Sequence, residues 1–322
     1  MLVAGWASRP AGVFVSMRKE EIPVSNVVVF GSLNMDLSIA SDHMPILGET
    51  VIGHDFITNP GGKGANQAVA AAKLGASVRM LGAVGTDAFG DQMIAALAEY
   101  GVQCDHLLRT DAASTGVALI TRVAGDNFIT IDSGANMVPR IDYVRRSLDA
   151  FARGGDVFLC QLECDFDTTM DALRYAHDRG MYTVVNPAPA RELPLEVYPF
   201  IDLLVVNECE CETLTSIFPD DDRAIRAAME ELAGAGAGSI AITLGSRGSC
   251  VYSQGAIIES VPPAVRAVDT TCAGDTYIGA LVAGYARGLT TEEAVALATK
   301  ASALATTKVG AQQSIPLLVD LD

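Results

Sequence analysis

Positive charge is scarce in this sequence: 22 Lys and Arg stand against 39 Asp and Glu in 322 residues, a net charge of −17. That balance disfavours a broad surface for nucleic acid or for an anionic membrane. The sequence has no apolar run long enough to span a membrane and no apolar segment typical of a secretion signal. The 4 histidines are isolated and the 7 cysteines include no CxxC pair, so no zinc site is predicted. Reduced thiols and a cytoplasmic location are the expectation, with the nucleus or another organelle left open.

Apolar residues make up 50% of the chain, which is enough to bury a large core. Residues 26–33 form a continuous apolar run, typical of a buried parallel strand. From Ile141 onward, short apolar strands alternate with helical segments, which predicts a mostly parallel sheet with helices on both faces. We therefore expect one three-layer α/β/α domain over residues 26–322, preceded by a poorly ordered extension over residues 1–25.

Four further strand-like pieces do not fit this alternation. Residues 37–40 and 50–56 flank a Pro-Gly turn region without a helix between them, which favours an antiparallel pair that projects from the main sheet. Residues 115–123 and 127–132 surround Ala124-Gly125-Asp126, a hairpin signal. The segments 37–58 and 115–133 together predict a small β-sheet lid, which would exclude water from a transferable phosphate.

The chain is organised around residues 269–275, where two carboxylates, Asp269 and Asp275, bracket a loop just before a helical run. The start of a helix offers unpaired amides and a positive dipole end, which suit a phosphate. Asp275 at that place has two interpretations. It is either an N-terminal helix cap, or a general base that takes a proton from an attacking hydroxyl. The spacing alone leaves both open.

A second glycine-rich stretch, residues 61–67, precedes an Ala-rich helix that closes at Gly75. Its glycines admit close backbone approach, and Lys63 and Asn66 add polar groups at the start of the helix. The phosphate-loop pattern GxxxxGK[ST] is not met because Gly64 follows Lys63. Polyol hydroxyls are an alternative target, and a tight turn with a surface lysine is the purely structural interpretation.

Polar residues recur where the predicted strands end, at the edge where open α/β sheets bind ligands. These clusters are Asn34 with Asp36, Glu163, Asn186, Asn207 with Glu210, residues 243–248, and residues 269–275. Six such clusters at one edge predict an active site. The Gly-Ala run at residues 234–238 ends a helix instead of opening one, so we reject it as a dinucleotide fingerprint.

Several motifs in the same order give the chain a resemblance to the ribokinase-like family of sugar and nucleoside kinases, from Val27 to Pro316. They are residues 31–36 (GSLNMD), 61–67 (GGKGANQ), 186–193 (NPAPAREL), 243–248 (TLGSRG), 269–275 (DTTCAGD) and 310–312 (GAQ). The resemblance implies a three-layer α/β/α domain and a β lid that often mediates dimerisation, hence a homodimer.

The resemblance also implies roles for individual residues. It makes Asp275 the base for the 5-hydroxyl of a sugar, and Ala273 and Gly274 the amides of an anion hole for the γ-phosphoryl group. The implied sugar ligands are Asn34, Met35, Asp36, Gly62, Lys63, Asn66 and Glu163. The implied ATP site comprises Asn207, Glu210, Thr243, Leu244, Gly245, Ser246, Arg247, Gly248, Gly274 and Thr299.

Two cations follow from the same resemblance. Asn207 and Glu210 would position Mg²⁺ on the phosphates through water. A monovalent cation such as potassium would be encircled by Asp269, Thr271, Ala305, Lys308, Gly310 and Ser314. Phosphoryl transfer depends mostly on positioning and charge stabilisation, which is consistent with these roles.

The chain departs from the family at Cys272, where many members have glycine, and a thiol beside the phosphate site raises the hypothesis of oxidation sensitivity. The hydroxyl-directed set of sugar ligands favours D-ribose, with 2-deoxyribose, fructose and adenosine as alternatives. A sugar sensor without catalysis is a further alternative, which the intact Gly274 and Asp275 disfavour. A nicotinamide dehydrogenase would need a glycine fingerprint after the first strand, and the sequence has none there.

Overall fold

The computed structural model describes residues 25–124 and 126–321. Apart from Ser25, the extension expected over residues 1–25 lies outside this part of the chain. No helix among the described residues is both long enough and apolar enough to cross a membrane.

The described residues form fourteen strands and eight α-helices. The strands are β1 (Asn26–Phe30), β2 (Asn34–Ala40), β3 (His54–Gly61), β4 (Ser77–Leu81), β5 (Ala83–Gly85), β6 (Leu108–Thr110), β7 (Gly116–Val123), β8 (Asp126–Asp132), β9 (Val157–Cys160), β10 (Tyr182–Val185), β11 (Leu203–Asn207), β12 (Ser239–Thr243), β13 (Ser249–Ser253) and β14 (Ala256–Ser260). The helices are α1 (Lys63–Lys73), α2 (Ala88–Glu99), α3 (Ile141–Phe151), α4 (Phe166–Asp178), α5 (Glu208–Thr215), α6 (Asp222–Ala235), α7 (Ala273–Ala286) and α8 (Thr291–Ala305).

The main sheet has eight strands in the order β14-β13-β12-β11-β10-β9-β1-β4. The strands from β12 through β4 are parallel, and the hairpin β13–β14 adds an antiparallel edge. Strands β4 and β9 pair with the two edges of β1, and helices cover both of its faces. Residues 27–30 are therefore fully buried, as the apolar run predicts. The predicted three-layer α/β/α fold is confirmed.

Two hydrophobic cores lie on opposite faces of this sheet. Val27 and Val29 of β1 belong to the core that includes α1, α2, α7 and α8, while Val28 and Phe30 belong to the core that includes α3 to α6. Successive strand residues point to opposite faces, so this alternation places four helices on each side. The carboxyl ends of the parallel strands are left open for a site.

A second sheet has four strands in the order β3-β2-β7-β8. Both predicted antiparallel pairs, β2–β3 and β7–β8, are present, and a parallel pairing of β2 with β7 joins them. Strand β2 begins at Asn34 and β3 ends at Gly61, so the small sheet extends three residues beyond the predicted segment 37–58 at each end. It therefore reaches directly to the glycine-rich start of α1.

Two predicted strands are wrong in their extent, and the first of them, predicted over residues 50–56, lies at 54–61 as β3. The sequence predicts a single strand over residues 78–84, but the structure has β4 and β5, separated at Gly82. An added Cβ at Gly82 would lie 2.6 Å from the carbonyl oxygen of Gly31, so this position needs glycine. After the break, β5 pairs with β6 in a separate two-stranded sheet.

Candidate active site

A cavity of about 220 Å³ opens at the carboxyl edge of the main sheet, between the ends of β11 and β12 and the start of α7. Residues from several predicted clusters line it together: Lys63, Asn207, Glu210, Thr243, Gly274 and Asp275. A larger cavity of about 680 Å³ lies at Asn26 and Arg79, at the amino-terminal end of β1. None of the predicted site residues lines it. Part of the predicted site therefore lines this cavity, at the edge where α/β sheets bind ligands.

The first turn of α7 excludes one of the two interpretations of Asp275, the N-terminal cap. The N-cap residue of α7 is Cys272, and its side chain makes no capping hydrogen bond. The Asp275 carboxylate accepts one hydrogen bond from Asn66 Nδ2 at 3.0 Å and one from Gln67 Nε2 at 2.9 Å. These amide donors come from α1, so Asp275 is held by another helix and does not cap its own.

Helix α1 lies close to α7 because a glycine stands where they cross. A Cβ built on Gly279 of α7 would lie 2.7 Å from the carbonyl oxygen of Gln67 and 2.8 Å from the amide nitrogen of Ala71. Only glycine allows the two backbones this separation. The crossing therefore brings Asn66 and Gln67 within hydrogen-bonding distance of Asp275.

The start of α1 packs against the turn between β1 and β2. A Cβ on Gly62 would lie 2.8 Å from the amide nitrogen of Asn34, and one on Gly64 would lie 2.5 Å from that of Ser32. The glycine-rich stretch therefore provides close backbone approach. Glu163 joins this cluster, since it accepts hydrogen bonds from the Ser32 hydroxyl and from the Lys63 amide. Glu163 is thus tied into the site and is not a solvated loop carboxylate.

Asn34 is oriented by a residue that the sequence analysis missed. Asn136 donates from Nδ2 to Asn34 Oδ1 at 2.7 Å and to the Leu33 carbonyl at 3.2 Å, and its Oδ1 accepts from the Leu33 amide at 2.9 Å. The backbone of Leu33 fixes the Asn136 amide, which makes Asn34 Oδ1 an acceptor and identifies its other side-chain atom as the NH₂ donor. Met35, by contrast, is fully buried and offers no side chain to the cavity.

Five charged side chains influence one another in this cluster. Burial, followed by the neighbouring carboxylates of Glu163 and Asp275, raises the pKa of Asp36 to about 7. Burial disfavours the charged form of Lys63, but the carboxylates of Asp275, Glu163 and Glu210 outweigh it and raise the Lys63 pKa. Lys63 is therefore the cation at the centre of a group of carboxylates.

Asp36 should cost the unliganded protein stability at neutral and alkaline pH. Because its pKa is about 7 in the folded state and 3.8 as the reference value, the folded protein binds more protons between these values, and its stability falls as the pH rises. We expect Asp36→Asn to raise the free energy of unfolding by an amount that grows from about pH 4 and levels off above about pH 7, approaching about 4 kcal/mol.

Chemical denaturation at several pH values measures this gain, and Asp42→Asn, at an exposed loop position, is the matched control. A gain that does not depend on pH, or one equal to that of Asp42→Asn, would contradict the account.

On the nucleotide side, Asn207 and Glu210 form a capping box at the start of α5. The Glu210 carboxylate accepts from the Asn207 backbone amide at 2.9 Å, from Asn207 Nδ2 at 3.0 Å and from Asn186 Nδ2 at 3.1 Å. Burial raises the Glu210 pKa, which the hydrogen bond from Asn207 and the charge of Lys63 oppose. With three donors on its two oxygens, Glu210 suits contact with a metal through water better than direct ligation.

The remaining predicted ATP residues follow β12. Thr243 lines the cavity, while residues 245–247 form a 3₁₀ turn and Gly248 follows with a positive φ of 96°. The Arg247 guanidinium is occupied by Glu208 at 2.8 Å and by the carbonyls of Pro219 and Asp220, so it is not free to meet a phosphate. Leu244 is buried, and Thr299 lies buried 3.3 Å from Ser249 Oγ.

Two loops that the sequence predicts to hold a monovalent cation lie side by side. Asp269 accepts from the Thr271 amide and from the Gly310 amide, each at 2.9 Å. Burial opposes its ionisation, but these hydrogen bonds lower the Asp269 pKa. The donor set of carboxylate, carbonyl and hydroxyl oxygens fits a hard cation. Among the described residues, no group of three or more His, Cys, Asp or Glu could hold a metal by side chains alone.

Cys272 has the left-handed backbone that explains glycine at this position in the family. Its φ is 65°, which is strained for a residue with a side chain. Burial, and next the Asp275 carboxylate, raises the Cys272 pKa well above its usual range. The thiol therefore stays protonated and reacts poorly with oxidants.

The Cys272 backbone predicts how substitutions behave. We expect Cys272→Gly to keep turnover and to melt at the same or a higher temperature, because glycine removes the left-handed strain. Cys272→Val should lose about 1–2 kcal/mol, because a β-branched residue tolerates this φ worst. Thermal unfolding and turnover of both variants measure this, and equal stabilities would contradict it. We also expect peroxide to inactivate the wild type and Cys272→Ala at equal rates.

The site contains buried amides that the sequence analysis did not assign. Gln67, Gln161 and Gln312 are at most 2% exposed, and each hydrogen-bonds to another amide of the site. Gln67 and Gln312 lie inside motifs that carry the family resemblance, so a signal existed for both. Gln161 and Asn136 follow β9 and the lid hairpin, and nothing local in the sequence distinguishes them from ordinary loop residues.

Comparisons with known proteins identify the family of this chain. Residues 24–318 match the pfkB family of carbohydrate kinases. The chain is 37% identical over 301 residues to a ribokinase from Lactococcus lactis, covering 92% of this chain and 96% of the relative. It is 34% identical to a deoxyribokinase from Salmonella typhi, covering 90% and 95%. A solved Arabidopsis thaliana ribokinase, complexed with ribose and ATP, superposes with a TM-score of 0.85 at 29% identity, covering 93% of this chain and 98% of that one.

Proposed function

Because the chain belongs to the pfkB family of carbohydrate kinases and is an ATP-dependent sugar kinase, we propose that it phosphorylates D-ribose at the 5-hydroxyl. The observation that carries this proposal is the Asp275 carboxylate, held by Asn66 and Gln67 in the first turn of α7 and lining the cavity. An ionised carboxylate at a helix start repels a phosphate but suits a hydroxyl that must lose its proton. Its placement therefore supports the role of base.

In the proposed step, Asp275 takes the proton of the sugar hydroxyl as the oxygen attacks the γ-phosphorus of ATP. The new O–P bond forms while the bond to the β-phosphate oxygen breaks, which gives ribose 5-phosphate and ADP. The Gly274 amide, which α7 leaves without an intrahelical partner, would stabilise the phosphoryl oxygens. Ala273 contributes less, because its amide already donates to the Thr270 carbonyl at 3.2 Å.

The sugar would be held on the α1 side of the cavity. Asn34, with its NH₂ group turned to the ligand by Asn136, would donate to one hydroxyl. Asp36 and Glu163 would accept from others, and Lys63 would offset the charge of Glu163. A site of this kind rejects analogues that lack the matching hydroxyl. It therefore supports ribose, while the similarity to a deoxyribokinase keeps 2-deoxyribose as the second candidate.

We also propose two cations. Mg²⁺ would neutralise the phosphates and would be positioned through water by Asn207 and Glu210, whose capping box at the cavity supports this role. A monovalent cation, for which we propose potassium, would lie between the loops joined by Asp269 and would order the residues that precede α7.

The small sheet supports a homodimer. It exposes several large apolar side chains, namely Phe56, Ile57, Leu119, Phe128, Ile129 and Ile131. Apolar side chains grouped on one exposed sheet typically mark a protein interface. Sedimentation equilibrium tests this proposal, and a monomer at every concentration would contradict it.

The position of phosphorylation can be tested with sugar analogues. ATP consumption should proceed with ribose and be absent with 5-deoxyribose, which lacks the attacking hydroxyl, and phosphorus NMR of the ribose product should show a 5-phosphate. Turnover with 5-deoxyribose would place the reaction at another hydroxyl.

A further inference from the structure

A chain of side-chain amides runs behind the proposed base. Gln161 Nε2 donates to Gln67 Oε1 at 2.6 Å, and Gln67 Nε2 donates both to Asp275 Oδ1 at 2.9 Å and to Asn186 Oδ1 at 3.2 Å. Asn186 Nδ2 donates in turn to Glu210 Oε2 at 3.1 Å. The chain thus connects a carboxylate beside the sugar with one beside the nucleotide.

The direction of this chain is fixed by the backbone. Asn186 Nδ2 also donates to the Val205 carbonyl at 3.1 Å, and a carbonyl can only accept. The side-chain oxygen of Asn186 must therefore point towards Gln67, and Gln67 must donate to it from its NH₂ group. The same NH₂ group donates to Asp275. The position of the Val205 carbonyl thus determines that Gln67 presents a donor, and not an acceptor, to Asp275.

Burial makes these hydrogen bonds strong. Gln67 is 0% exposed, Gln161 is 1% exposed and Asn186 is 5% exposed. In such surroundings a hydrogen bond to a charged group is worth more than in water, and an unpaired one costs more. Asn66 Nδ2 donates to the other oxygen of Asp275, Oδ2. The side-chain oxygen of Asn66, Oδ1, accepts a hydrogen bond from Gln312 Nε2 at 3.2 Å.

We propose that Gln67 is a positioning residue for Asp275, oriented by Gln161 and Asn186, which holds the carboxylate of the base in one orientation and ties it to Glu210. This inference deepens the proposed function and rests on it. A hydrogen bond to a charged group is stronger than one between neutral groups and fixes the geometry of its acceptor. Without the Gln67 donor, the carboxylate of Asp275 would be free to rotate.

The test compares Gln67→Met, which keeps the length of the side chain but removes the donor, with the wild type. We expect kcat with ribose and ATP to fall by about 10- to 100-fold, while both KM values change by less than about threefold. Gln161→Met, which keeps the donor but removes its orientation, should show a smaller change in the same direction.

Gln92→Met, at an exposed position of α2, is the matched control and should behave as the wild type does. A readout without catalysis comes from the labelled carboxyl carbon of Asp275, whose NMR resonance should move in Gln67→Met, which lacks the hydrogen bond, and stay in place in Gln92→Met. Should Gln67→Met not fold, Gln161→Met gives the same test.

The outcomes separate this inference from the proposed function. If the wild type does not turn over ribose, the proposed function fails, while the carboxyl resonance of Asp275 still reports on Gln67. If the wild type is active and Gln67→Met keeps both its kcat and the Asp275 resonance, Gln67 does not position the base. A variant that loses only thermal stability, with the same kcat, would likewise overturn the inference.

Discussion

Asp275→Asn is expected to abolish most turnover, lowering kcat with ribose by on the order of 10²- to 10⁴-fold. An amide of the same shape cannot take the hydroxyl proton, while the cavity and the sugar-binding side chains remain. Calorimetric titration should therefore still detect ribose. Because Asn66 and Gln67 both donate to the carboxylate, one of them loses its acceptor, and we expect stability to fall by about 1–3 kcal/mol.

Asp142→Asn is the control, because Asp142 is an exposed acidic residue in the first turn of α3. It tests whether charge at the start of a helix explains the effect, and it should keep full activity. An Asp275→Asn variant with more than about a tenth of the wild-type kcat would remove Asp275 as the general base, since such bases contribute about 10²-fold or more.

Gly279→Val is expected to give the second-largest effect, although Gly279 does not line the cavity. The added carbon atoms would meet Ala70, the carbonyl of Gln67 and the amide of Ala71, and backbone atoms cannot move aside without separating α1 from α7. We expect a loss of about 1–3 kcal/mol in the free energy of unfolding. Since Asp275 would move away from its two amide donors, kcat should fall by about 10- to 100-fold.

Gly234→Ala provides a matched control in α6, where no atom lies within 4 Å of the added Cβ. Its stability should be unchanged or slightly higher, because alanine favours a helix more than glycine does. Gly279→Ala alone should also lower the stability, because its methyl group would meet the methyl group of Ala70. Adding Ala70→Gly removes that second methyl group, so the double variant should regain part of the lost stability. Full activity in Gly279→Val would show that the crossing does not position the base.

Local patterns in the sequence predicted most of the fold. The apolar run at the start of the domain became β1, and the turn signal around Ala124 became the β7–β8 hairpin. The break at Gly82 was missed because it depends on the carbonyl of Gly31, a contact that no local pattern reveals. For the same reason, the hairpins of the small sheet were predictable, whereas the parallel pairing of β2 with β7 followed only from the structure.

The site was predictable to a similar extent. Residues that end predicted strands or begin helices, such as Glu210 and Asp275, were identified from their position and from the family resemblance. The residues that orient them were not. Asn136 lies 102 positions from Asn34, and Gln67 lies 208 positions from Asp275, so only the folded chain shows these pairs. A buried amide also resembles any other polar residue until its partners are known.

The most direct test of the account is ATP consumption with ribose, 2-deoxyribose, fructose and adenosine, each measured with potassium and with sodium alone. The account predicts that turnover is highest with ribose, rises with potassium and is lost in Asp275→Asn. Turnover with adenosine alone would be consistent with a kinase but would contradict ribose as its substrate. Absence of ATP consumption with all four compounds would contradict the central claim and would favour a sugar sensor on the same fold.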